Sequence, residues 1–232
     1  MATTTTNDAA LDQVRRRLSA LRARSQGAGR PFDTRIQLAG SGDEITAGTI
    51  QEMSRLAIDG SRDPLVRLMA IDILDGVQGR DHDAVARRFF SWMQDQGSGE
   101  RSGVKFVNDP FRTEQVRCPW WTLVVEGCGD CNSAFATTVA ALLLSVGVPC
   151  FFRTVAADPG RPSSFSPVYT LANNRGVELP LDTSVAISMP GSEPTQITRQ
   201  KDWPIRHYEE DDLHRGAGSL LSWIKLKLGM AA

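Results

Sequence analysis

Gly127-Cys128-Gly129-Asp130-Cys131-Asn132 runs straight into Ser133-Ala134-Phe135-Ala136-Thr137-Thr138-Val139-Ala140-Ala141-Leu142-Leu143-Leu144. The glycines and Asp130 read as a turn, and the apolar run after them reads as a long apolar helix. That arrangement puts Cys131 at the first turn of the helix, where backbone N–H groups and the helix dipole favour a thiolate over a thiol. Cys131 therefore stands in the setting of a nucleophile and is the first candidate catalytic residue.

Downstream, Gly147-Val148-Pro149 stops the helical pattern, and Cys150-Phe151-Phe152-Arg153-Thr154-Val155-Ala156 has the composition of a strand. After a polar loop come Val168-Tyr169-Thr170-Leu171, then Asn173-Asn174-Arg175-Gly176, whose residues tolerate positive φ, then Val177-Glu178-Leu179-Pro180-Leu181-Asp182. The three pieces predict a β-hairpin.

Upstream, the pattern is helical. One helix is expected from Thr49 to Ala57, and a second opens at Ser61-Arg62-Asp63-Pro64, where Ser61 or Asp63 caps and Pro64 suits the first helical position. The second is expected to carry Leu65, Leu68, Met69, Ile71 and Leu74 inward. A third, from Asp81 to Met93, presents Val85, Phe89 and Trp92 on one face. Val104 to Pro110 reads as a short extended piece. Helices first and an antiparallel sheet second predict an α+β domain, with helices packed on a small antiparallel sheet.

The two ends differ from this core. Residues 9–24 place Leu11, Val14, Leu18 and Leu21 at helical spacing among Arg15, Arg16, Arg17, Arg22 and Arg24, the pattern of an amphipathic helix with a solvated basic face. Ser25 to Pro31 breaks it, and Gly40-Ser41-Gly42-Asp43 marks a second loop. At the other end, Pro190-Gly191-Ser192-Glu193-Pro194 and Glu209-Glu210-Asp211-Asp212 read as exposed, while Leu220 to Leu228 fits a helix and a strand equally well. The expected organisation is an N-terminal arm over 1–48, a core over 49–188 and a C-terminal extension over 189–232.

With 26 basic and 27 acidic side chains among 232 residues, net charge calls for neither nucleic acid nor an anionic membrane as partner. No apolar run reaches the length of a bilayer span, and the first residues lack the pattern of a secretion signal, so a cytoplasmic origin is expected. Four cysteines, Cys118, Cys128, Cys131 and Cys150, raise the question of zinc. Cys150 lies beyond the far end of the cysteine helix, about 25 to 30 Å from Cys131 at the helical rise, so neither metal nor cofactor is expected.

Thiol catalysis on an amide needs an imidazole to take the proton and a carboxylate or amide to orient the imidazole. Asp182, at the end of the return strand, is the candidate orienting group. The imidazole belongs on the outgoing strand, where the chain reads Phe165-Ser166-Pro167-Val168-Tyr169.

Gly129-Asp130-Cys131, Gly147-Val148-Pro149, the strand from Phe165 to Tyr169 and Pro180-Leu181-Asp182-Thr183 together resemble the transglutaminase-like superfamily, which has a papain-like Cys-His-Asp site. Phe106-Val107-Asn108-Asp109-Pro110, Glu114-Gln115-Val116 and Pro119-Trp120-Trp121-Thr122-Leu123 look like the version encoded by bacteriophages among tail and virion genes. The resemblance covers roughly Ser61 to Ser184 and implies a papain-like core with Cys131 and Asp182 in the site. It gives the histidine position to Pro167, which cannot accept a proton. The histidines of the chain are His82, His207 and His214. Two functions follow as expectations. One is a structural or interaction protein of a virion, on a degenerate domain, meeting other virion proteins through its extensions. The other is an active cysteine peptidase or acyl transferase with a histidine recruited from His207 or His214.

Overall fold

A computed structural model of the protein describes residues 33–37, 42–78, 80–94, 104–107, 113–129, 133–162, 164–182 and 189–206. The elements are β1 (Asp33–Gln37), α1 (Gly42–Arg62), α2 (Pro64–Ile73), α3 (His82–Gln94), β2 (Lys105–Phe106), β3 (Thr113–Arg117), a π-helical turn (Trp121–Glu126), β4 (Cys128–Gly129), α4 (Ser133–Ser145), β5 (Cys150–Ala156), β6 (Val168–Asn174), β7 (Val177–Leu181) and β8 (Arg199–Pro204). Mixed helix and antiparallel sheet make this an α+β fold, as the sequence predicts. The N-terminal amphipathic pattern and the Leu220 to Leu228 segment lie outside the described residues.

The apolar run after Cys131 becomes α4, the helix on which the rest is built. Every residue from Ser133 to Leu143 is buried, as expected of a helix with no charged face. One apolar cluster joins Phe135, Val139, Leu142 and Leu143 of α4 to Val66 and Met69 of α2 and to Val85, Phe89 and Phe90 of α3. A second joins Ala136 and Ala140 to Ile50, Met53 and Ala57 of α1 and to Phe152, Val168 and Trp203 of the sheet. The alanines of α4 let α1 and the sheet come close, while the larger residues fill the space toward α2 and α3.

The main sheet has the order β7-β6-β5-β8, antiparallel throughout. Arg175 (φ 54°) and Gly176 (φ 92°) form the two-residue turn between β6 and β7, both left-handed, as a primed hairpin turn requires. The register sets Thr170 opposite Leu181. Phe152, Val168, Thr170 and Ala172 face the helices, while Arg153, Val155, Tyr169 and Leu171 face away. Both edge strands carry a proline, Pro180 in β7 and Pro204 in β8, and such edges resist pairing with further strands.

Elsewhere the structure corrects the expected elements. The first helix begins at Gly42, so Gly42 and Asp43 are its first turn rather than a loop, and Arg199 of β8 pairs with Asp43 at 2.9 Å. The second helix opens as expected, with the Leu65 N–H donating to Asp63 Oδ1 at 2.8 Å and Pro64 in its first turn. Its buried stripe, however, is Leu65, Val66, Met69, Ala70 and Ile73, and Leu68 and Ile71 are 41% and 66% exposed. Five leucine-like positions spanned too wide an arc to be buried together, and the face with the small Ala70 and Val66 won because it permits close packing. Strands β1, β3 and β8 and the π-helical turn were not expected, and Cys128 and Gly129, read as part of a turn, form β4. Among the described residues, no helix is long and apolar enough to cross a membrane.

Candidate functional site

The route into α4 is held tightly. Gly127 closes the π-helical turn in the left-handed conformation (φ 64°), its N–H donating to Thr122 O at 3.0 Å. Cys128 and Gly129 then pair in parallel with β2, through Lys105 N to Gly127 O at 2.9 Å and Val107 N to Gly129 O at 2.8 Å. Gly129 is required by space: a Cβ there would stand 2.7 Å from Ala134 Cβ, in the first turn of α4. Ser133 Oγ, at the start of the helix, donates to Gln115 O of β3 at 3.2 Å.

Arg117 organises this approach and was not singled out in the sequence. Its buried guanidinium donates from Nη1 to Cys128 O at 3.2 Å and from Nη2 to Gln115 Oε1 at 2.9 Å, and pairs with Glu126 at 3.1 Å. Glu126 also accepts from Trp121 Nε1 at 3.0 Å. The one signal available was an arginine in a stretch, Glu114 to Arg117, whose apolar content is a single valine. Residues 130–132, Cys131 among them, lie outside the described residues, so the structure describes the path up to Gly129 and onward from Ser133.

The hairpin meets the same end of α4. Thr170 Oγ1 of β6 donates to Ala136 O, within the first turn of the helix, at 2.9 Å and fully buried. Leu181 lies opposite Thr170, and Asp182, the next residue, is 2% exposed. Its carboxylate acts on Tyr169, helping to raise the phenol pKa, although burial and Glu193 act more strongly there. The predicted carboxylate thus sits at the end of the strand pair that touches the helix start. Pro167 stands three residues before Thr170, after a cis Ser166-Pro167 bond, and its carbonyl accepts from Val155 N at 3.2 Å. It offers no proton acceptor on its side chain. Of the histidines, His82 is half-buried at the start of α3, and His207 and His214 lie outside the described residues.

Two other thiols, Cys128 and Cys150, are held protonated. Cys128 has its pKa raised by burial and then by the Glu126 charge, against a smaller lowering by Arg117. Burial raises that of Cys150, whose Sγ turns inward to 3.8 Å from Ala140 O. No group of three or more His, Cys, Asp or Glu is placed to hold a metal ion among the described residues.

A second polar cluster lies on the sheet face turned away from α4. Arg153 of β5 donates from Nε and Nη2 to Asp202 at 2.6 and 2.8 Å, from Nη1 to Glu193 at 3.0 Å and from Nη2 to Glu178 at 3.1 Å. The contact with Asp202 first, and that with Glu193 after it, raise its pKa against the opposing effect of burial. Tyr169 Oη donates to the same Glu193 at 2.7 Å. An arginine in the middle of an apolar strand was the sequence signal, but its partners are 25 to 49 residues away. Beside it a shallow groove of about 410 Å³ is lined by residues that include Phe151, Asn173, Asp202 and Ile205.

No protein-family model, curated protein or solved structure matches this chain.

Proposed function

We propose that the chain is a non-catalytic interaction module, a bacteriophage virion protein of the tail or its assembly, built on a degenerate transglutaminase-like domain. The observation that carries this reading is Pro167. The position that the family resemblance gives to the general base holds a side chain with no titratable group, immediately before the strand whose Thr170 touches the first turn of α4. Removing a general base forfeits about 10²- to 10⁴-fold in rate, or about 3 to 5 kcal/mol of transition-state stabilisation, from a reaction on an unactivated amide. A thiol at the helix start is then a relic of the scaffold, and Gly129 is retained because Ala134 leaves no room for a larger residue.

The chain would act in the virion, assembled in the host cytoplasm, and meet other virion proteins through its N- and C-terminal extensions. Leu68 and Ile71, exposed on α2, are further apolar surface suited to such contacts. Two experiments test the reading. Purified particles should contain the chain, and Cys131→Ser should leave particle yield and infectivity unchanged. Loss of infectivity with normal incorporation would mean that the thiol performs chemistry, the alternative being a cysteine peptidase or acyl transferase with Cys131 as nucleophile and Asp182 as orienting group. In the second, Pro167→His should give the isolated protein an amidase activity that the wild type lacks; equal activity in the wild type would overturn the reading.

A further inference from the structure

Residues 189–198, which lead into β8, lie over the sheet face opposite α4. Near the start of this segment, Gly191 N donates to Pro180 O of β7 at 2.8 Å; at its end, Thr198 N donates to Ala156 O of β5 at 2.9 Å. Between these anchors the segment is neither helix nor strand, and Pro194 has no N–H to give. Three side chains tie it down: Ile197 packs on Val155, Tyr169 and Leu171, Glu193 accepts from Arg153 and Tyr169, and at the β8 end Thr198 Oγ1 donates to Ala156 O and Pro162 O, each at 2.9 Å.

We propose that residues 189–198 form a releasable strap, latched by Glu193, whose opening bares the apolar face of Val155, Tyr169 and Leu171 while the fold beneath stays closed. The unequal partners of Arg153 support this. Of its four hydrogen bonds to carboxylates, three go to Asp202 and Glu178, which belong to the sheet, and one goes to the strap. When the strap leaves, the guanidinium keeps its bidentate partner and is not stranded, which is the condition that makes breaking a buried ion pair costly. Glu193 is moreover the third carboxylate gathered around one cation, so the two that remain repel it. Tyr169 loses its acceptor but gains water. A strap meant to stay shut permanently is better held by apolar contacts, of which Ile197 supplies one.

Amide hydrogen exchange on the full chain tests this. Glu193→Ala should quicken exchange in residues 189–198 at least tenfold, leave the amides of α4 and β5 within twofold of wild type, and increase the fluorescence of a dye that binds apolar surface. Glu193→Gln, which keeps an acceptor for Arg153 and Tyr169, should quicken the strap about threefold with the core unchanged. Strap amides that do not respond, or α4 amides that quicken in step with them, would overturn the proposal, because Glu193 would then be an ordinary brace of the whole fold. Should Glu193→Ala yield too little folded protein, Glu193→Gln decides by the same comparison.

Discussion

Glycine to alanine at two positions should change stability in opposite directions. Gly48 lies in the exposed interior of α1, and an added Cβ there meets nothing within 4 Å. Alanine is favoured over glycine in a helix by about 1 kcal/mol, so Gly48→Ala should stabilise by about that much. At Gly129 the added Cβ falls 2.7 Å from Ala134 Cβ, with Thr122 Cγ2 at 3.6 Å and Phe135 Cδ1 at 3.7 Å. Carbons settle at about 3.5 to 4.0 Å, so the first contact is short by about 1 Å. Neither carbon can rotate away, since each is bonded directly to backbone, and Ala134 is in the fully buried first turn of α4. Relief therefore requires moving β4 or the helix start, and overpacking of this kind costs about 1 to 3 kcal/mol. For a chain of this size each kcal/mol shifts Tm by about 2 to 4 °C. Thermal and urea unfolding followed by circular dichroism should show Gly48→Ala raised by about 2 to 4 °C and Gly129→Ala lowered by about 2 to 12 °C, with unchanged urea m-values. A Gly129→Ala protein as stable as wild type would refute the close approach, and with it the argument that packing retains the glycine before Cys131.

Three further outcomes follow from the structure. Ile71→Lys should leave urea stability within about 0.5 kcal/mol of wild type, whereas Ile73→Lys, two residues on and 6% exposed, should cost several kcal/mol or prevent folding; equal effects would contradict the phase of α2. Thr170→Val removes a buried hydroxyl but keeps the shape, and should cost about 1 kcal/mol by the same measurement; no loss would mean that the contact with Ala136 contributes nothing. The third concerns pH. Cys150 and its unfolded counterpart are both protonated below the ordinary thiol value of 9.0, but above it the unfolded thiol ionises while burial keeps the folded one neutral. Stability should therefore fall as pH rises past 9, by at most about 1.4 kcal/mol per pH unit from this group, and Cys150→Ala should remove that share of the slope. Tyr169, also raised by burial and by Glu193, adds its own loss from about pH 10. An identical slope in Cys150→Ala between pH 8 and 10 would contradict the burial of the sulfur.

How much could be read in advance depended on what each element uses to hold itself. The strand Cys150–Ala156 matches its expected bounds because its apolar and β-branched residues follow a proline and face two buried layers. The hairpin turn was legible because Arg175-Gly176 follows two asparagines, and the cap of α2 because Asp63-Pro64 is a local signal. By contrast β8, Arg-Gln-Lys-Asp-Trp-Pro, is an edge strand with one buried residue, and its pairing with β5 depends on backbone hydrogen bonds to which hydropathy is blind. β3 escaped notice for a related reason: Gln115 and Arg117 are buried polar residues that satisfy each other and the Cys128 carbonyl, so burial there leaves no apolar trace. Of the candidate site, the hairpin itself followed from local patterns, whereas its contact with the first turn of α4, made through Thr170 of β6, is a tertiary one. The Arg153 cluster, joining four segments distant in sequence, had no local pattern to follow.

The rate at which Cys131 reacts with iodoacetamide between pH 5 and 10 bears most directly on the claim that Pro167 leaves this thiol without a base. Site-resolved mass spectrometry should show Cys131 alkylation still climbing with pH across this range, with the same profile in His207→Ala and His214→Ala. A plateau already reached near pH 6, abolished by either histidine substitution, would reveal a thiolate–imidazolium pair and contradict the account.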